Sequence, residues 1–100
     1  MTKDDKRWLE DVASLGCVVC RNLVYGATPA EVHHIRKGQG IAQRADHKET
    51  LPLCPPHHRT GGHGVAIHAG QKTWEENYGT ETELLEQVTN EVKELRLCRI

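Results

Sequence analysis

The chain has no phenylalanine, one methionine, two tryptophans and two tyrosines, and hydrophobic residues make up only 37% of its 100 positions. Its core must therefore be thin, and domains of this size often need a metal or a partner to stay folded. No stretch approaches the ~20 apolar residues of a membrane span, which excludes a transmembrane helix. The N-terminus is polar and lacks an apolar run, so no secretory leader is expected. The expected compartment is then the cytoplasm, where thiols stay reduced, and the four cysteines point to metal or redox chemistry before disulfides. Repeats and low-complexity tracts are also missing, and one domain spanning residues 1–100 is expected.

What the chain does have is histidine. All seven lie between His33 and His68. Cys17-x-x-Cys20 precedes that cluster and Cys54-x-x-His57 sits within it. Two such clips separated by a long insert can close around one tetrahedral zinc, because a two-residue gap lets both ligands of a clip reach the same ion. Cys17, Cys20, Cys54 and His57 are the expected closed site, with His58 as the alternative to His57. A thioredoxin-like reading of Cys17-x-x-Cys20 needs a surrounding βαβ pattern, and none is visible. A two-Cys, two-His finger beginning at Cys17 and Cys20 fails at its fourth ligand, since positions 37–39 are Lys37, Gly38 and Gln39. Cys98 lies outside both clips and reads as a buried free thiol.

One closed zinc leaves six histidines over, including the adjacent pair His33 and His34. A structural zinc needs none of them, whereas a second, open metal site with a neighbouring base would use them. Charge is unevenly spread although the formal net charge is only −1. Residues 32–72 carry six basic side chains (Arg36, Lys37, Arg44, Lys48, Arg59, Lys72) against two acidic ones, while residues 73–100 carry three basic and seven acidic. The histidines thus occupy the basic stretch, which suits a phosphate-bearing ligand. Ordinary solvated surface is the plainer reading of the same charges.

Local patterns give a coarse α+β map. Residues 2–15 read as a helix capped by Thr2 or Asp4, with Trp8, Val12 and Leu15 on one face and Gly16 as its stop. A knuckle at Cys17–Cys20 and a loop through Gly26 and Pro29 follow. Residues 31–35 and 50–54 read as short strands, the second confined by Pro52 to an edge or irregular position. Pro55 and Pro56 suit the first turn of a helix carrying His57, His58 and Arg59. A further helix holds Trp74 and Tyr78. The last, over residues 80–97, bears Leu84, Leu85, Val88, Val92 and Leu95 at helical spacing, a stripe for core or dimer packing.

The order His-His at a strand end, a Gly-containing loop, a strand ending Leu53-Cys54, then a helix opening His57-His58 resembles the HNH, or ββα-metal, endonucleases. The run Glu31-Val32-His33-His34-Ile35, Gly38-Gln39-Gly40, Arg44, Leu53-Cys54, His57-His58-Arg59-Thr60-Gly61, Ala66-Ile67-His68, Trp74-Glu75 and Tyr78-Gly79 looks like the phage-borne recombination-enhancement, RecA-dependent nucleases. The resemblance covers roughly residues 17–78. It implies a small ββα-metal core with a structural zinc knuckle, flanked by N-terminal and C-terminal helices, in a phage- or prophage-encoded protein of the bacterial cytoplasm. It implies His33 as a catalytic-metal ligand, His34 as general base, His58 as a second ligand, and His63 or His68 as a third. The implied partners are DNA and a RecA-type recombinase filament, with no membrane. His57 departs from the family pattern, in which a cysteine is usual at that place.

The chemistry suits these residues independently of the resemblance. Phosphodiester hydrolysis needs an activated water, and a neutral imidazole with a pKa near ~6.5 is a suitable base. A divalent cation stabilises the charge that builds on phosphorus and the leaving oxygen. Imidazole ligands favour Zn2+, whereas Mg2+ prefers oxygen, so the catalytic cation stays open between Mg2+ and Zn2+ or Mn2+. Arg36, Lys37, Arg44 and Arg59 are candidate phosphate contacts. Asp46 and Glu49 read as exposed loop charges, with orientation of an imidazole as the alternative, and His47 is not an expected ligand. The competing function is a non-catalytic zinc-stabilised module that binds nucleic acid or protein, which leaves His33, His34, His58, His63 and His68 without a task.

Overall fold

The computed structural model describes residues 1–35 and 46–99. Helix α1 (Lys3–Ser14) is capped as its sequence dictates: Thr2 and Asp5 form a reciprocal capping box, and Asp4 and Asp5 occupy the first turn. Gly16 stops it with φ +80, and a Cβ there would stand 2.8 Å from Ala27, so the turn admits only glycine. A short helix not expected from the sequence, α2 (Val18–Asn22), follows, with Cys17 as its N-cap.

Strands β1 (Glu31–His34) and β2 (Thr50–Leu53) form an antiparallel two-stranded sheet in which Val32 faces Pro52, His33 faces Leu51 and His34 faces Thr50. In a two-stranded sheet both strands are edges, which is why Pro52 is tolerated. The helix expected after Pro55 is a π-helical turn of five residues, Pro56–Thr60. Gly61 and Gly62 end it, and a short 3-10 turn, Ile67–Ala69, leads into α3 (Gln71–Tyr78) and α4 (Glu81–Leu97). Thr80 and Glu83 form a second capping box at the start of α4.

Trp8 and Val12 of α1, Val18 and Val19 of α2, Leu51 and Leu53 of β2, Trp74 of α3 and Leu84, Val88 and Val92 of α4 close one core. Leu84, Val88 and Val92 of the α4 stripe are thus buried inside the chain, while Leu85 and Leu95 are partly buried. Polar ties lock the periphery. Arg21 grips Glu91 at 2.7 and 3.0 Å, joining α2 to α4. Asp11, 3% exposed, receives Arg96 at 3.0 Å and Arg99 at 2.5 Å, joining α1 to the end of α4. Cys98, expected as a buried thiol, is exposed. It caps α4 one residue beyond the last helical position, past the reach of the core. No helix among the described residues is long and apolar enough to cross a membrane.

Candidate metal centre

Among the described residues, two histidine-bearing clusters could hold a metal ion. The first is buried. Cys17 and Cys20 come from the start of α2, Cys54 from the end of β2, and His57 from the following turn. Cys20 Sγ lies 3.7 Å from Cys54 Sγ, and His57 Nδ1 lies 3.8, 3.5 and 3.1 Å from the sulfurs of Cys17, Cys20 and Cys54. A tetrahedral zinc with about 2.3 Å bonds to sulfur and about 2.0–2.1 Å to nitrogen requires S···S edges of about 3.8 Å and S···N edges of about 3.6 Å. Three of the observed edges come close to these values and the Cys54–His57 edge is shorter, and these four residues can hold a metal ion such as zinc.

The surroundings hold this donor set rigid. The backbone N–H of Cys20 donates to Cys17 Sγ at 3.4 Å. Trp74 Nε1 donates to the His57 carbonyl at 3.1 Å, and the Tyr78 ring meets the His57 imidazole edge-on at 5.2 Å. Burial pushes the Cys54 thiol up to about 11 and lowers the His57 pKa. A nearby cation is what would favour the thiolate in such a setting. His58, the alternative fourth donor, belongs to the other cluster.

That second cluster is open. The ligand atoms of His33, His58 and His68 lie within 4.8 Å of one another. Their rings make mutual edge contacts, with centroids 5.2 Å apart for His33 and His58, 5.5 Å for His33 and His68, and 4.5 Å for His58 and His68. They line a cavity of about 370 Å³ together with His34, Gln71 and Glu81. His63 is not in the cluster: it is exposed, and its Nδ1 donates to the Ala69 carbonyl at 3.3 Å.

Carboxylates fix two of the three imidazoles. His58 Nδ1 donates to Glu31 Oε1 at 2.8 Å, and His33 Nε2 donates to Glu81 Oε2 at 2.7 Å. An imidazole that donates from one nitrogen carries its lone pair on the other, so both rings offer a metal-binding nitrogen. Arg59 also clasps Glu31, at 2.9 and 2.7 Å, and the Arg59 guanidinium, followed by His58, holds the Glu31 carboxyl down at about 2. Arg59, a sequence candidate for phosphate contact, is therefore already engaged with an anion. Arg36, Lys37 and Arg44 lie outside the described residues.

His34 Nε2 and His47 Nδ1 share a hydrogen bond of 3.1 Å. His47 is in neither of the two clusters. Asp46 spends its carboxylate on the Lys48 backbone N–H at 2.8 Å. Two of the cluster imidazoles, His58 and His33, bond to Glu31 and Glu81, which the sequence reading missed. Glu31 had a signal, since it stands two residues before His33 and so shares its strand face. Glu81, 48 residues away, had none, because an acid in the first turn of a helix reads simply as a partner for the helix dipole.

This thin-cored α+β chain thus carries a buried three-cysteine, one-histidine cluster and an open three-histidine cluster, each with donors that could hold a metal ion. The chain belongs to the recombination enhancement, RecA-dependent nuclease family, whose model matches residues 1–93. The family is one of nucleases acting in recombination, as the sequence resemblance implied. No curated protein matches the chain.

Proposed function

We propose that this chain is a metal-dependent DNA endonuclease of the HNH, ββα-metal kind that hydrolyses phosphodiester bonds in concert with a RecA-type recombinase filament. The observation that carries the reading is the approach of His33, His58 and His68 to within 4.8 Å of one another in a cavity that His34 also lines. In this reading His33, His58 and His68 hold one divalent cation, and Cys17, Cys20, Cys54 and His57 hold a structural zinc. When bound, the catalytic cation stabilises the negative charge that develops on the phosphoryl group and the leaving oxygen.

His34 takes the proton from the attacking water. Its bond to His47 restricts the ring's orientation, which general-base catalysis requires. Glu31 keeps His58 in the tautomer that presents a lone pair to the cation. Arg36, Lys37 and Arg44 contact DNA phosphates, which positions DNA without reading its sequence, whereas Arg59 is held by Glu31.

The test is a nicking assay on plasmid and single-stranded DNA, with and without a recombinase filament, across Mg2+, Mn2+ and Zn2+. Cation-dependent cleavage that His33→Ala abolishes is the expected result. DNA binding with no cleavage under any of these cations, by protein carrying its full zinc complement, would make the chain a zinc-stabilised binding module instead.

A further inference from the structure

Glu81 is placed as an ordinary helix-start acid, yet it is not one. Thr80 and Glu83 already cap α4, and a carboxylate that merely served the helix dipole would stay in water. Glu81 is instead 8% exposed and lines the histidine cavity. Burying a carboxylate is costly unless each oxygen finds a donor. Here both do: Oε2 accepts from His33 Nε2 at 2.7 Å, and Oε1 accepts from Gln71 Nε2 at 2.8 Å. The backbone N–H of Glu81 in turn donates to Glu75 Oε2 at 2.8 Å, which fixes where the helix begins relative to α3.

We infer that Glu81 is a positioning residue for the catalytic-metal site. It holds His33 as the tautomer protonated on Nε2, aims the other nitrogen into the cavity and strengthens it as a donor. A carboxylate behind a metal-binding histidine is known to act in this way. The inference rests on the proposed role of His33, His58 and His68 as ligands of a divalent cation. It adds a link that the strand and turn do not supply, because Glu81 brings α4 to the cavity that His33, His58 and His68 line. Gln71, from the first position of α3, completes the support.

The probe is Co2+, titrated into protein that already carries its structural zinc and followed by calorimetry and visible absorption. Wild type takes up one Co2+ beyond the structural zinc. Glu81→Asp keeps the charge at the start of α4 but withdraws the carboxylate by one methylene, and Glu81→Gln keeps the length but loses the charge. Both are expected to weaken Co2+ binding by about 10–100-fold, with structural zinc and melting temperature unchanged. A residue that only stabilised the helix start would tolerate Glu81→Asp. Should either variant fold poorly, Gln71→Ala removes only the bond that steadies the carboxylate and carries the test in the same direction. Wild-type Co2+ affinity in all three variants overturns the role of Glu81. A wild type that takes up no second cation overturns the metal-site reading itself, and this inference with it.

Discussion

His33 and His34 are consecutive residues of β1, and both line the same cavity. Successive side chains of a regular strand point to opposite faces. The pair escapes that rule at the end of the strand, where the sheet stops after the pairing of His34 with Thr50. One histidine can therefore hold a cation while its neighbour acts on a water beside it.

This arrangement separates ligands from bystanders. His33→Ala, His58→Ala and His68→Ala should each weaken binding of the exchangeable cation, by roughly 10-fold or more, and leave the tightly held zinc in place. His63→Ala should bind it as wild type does, because His63 bonds to the Ala69 carbonyl outside the cluster. Metal titration of the four variants checks this, and loss of the tight zinc in His58→Ala but not in His57→Ala would exchange the roles of those two residues.

The buried cluster is expected to couple metal to folding. Cys17→Ser or Cys54→Ser removes one of four donors in a site that bridges α2, β2 and the π-helical turn. Each kcal/mol lost lowers the melting temperature of a domain this size by about 4–8 °C, and a structural zinc is worth several. Thermal melts with parallel zinc analysis test this. Unchanged melting and zinc content in either variant would contradict the assignment.

Asp11 gives a pH dependence with a defined sign. Burial pushes its carboxyl up, but Arg99 and Arg96 more than offset that, and the net pKa lies below its ordinary 3.8. A folded-state pKa below the unfolded one stabilises the protein above the unfolded value, and that contribution is lost as pH falls through the folded one. Asp11→Asn should therefore cost about 1–2 kcal/mol near neutrality, since both arginines are partly solvated. The difference from wild type should shrink as pH falls below about 4. Denaturant melts at neutral and acid pH measure it.

Much of this was legible because the signals were local. The Thr2 cap, Gly16 as a stop, and the apolar spacing of Leu84, Val88 and Val92 each act within a few residues, and the structure follows them. The clips at Cys17 and Cys54 were legible for the same reason, as metal ligation imposes close spacing within each clip. What escaped was set by tertiary packing. The partnership of Glu81 with His33 spans 48 residues, the bond between His34 and His47 spans 13, and the exposure of Cys98 depends on where α4 leaves the core.

The central claim is that His34 is the general base and that its neighbours, not it, bind the cation. Its most direct test is DNA nicking by wild type and His34→Ala, with and without Mg2+, alongside the cation affinity of both. The account expects His34→Ala to fold, to keep its structural zinc and to bind the cation as wild type does, while cleavage falls by about 10²–10⁴-fold. Near-normal cleavage by His34→Ala, with the metal sites intact, would contradict it.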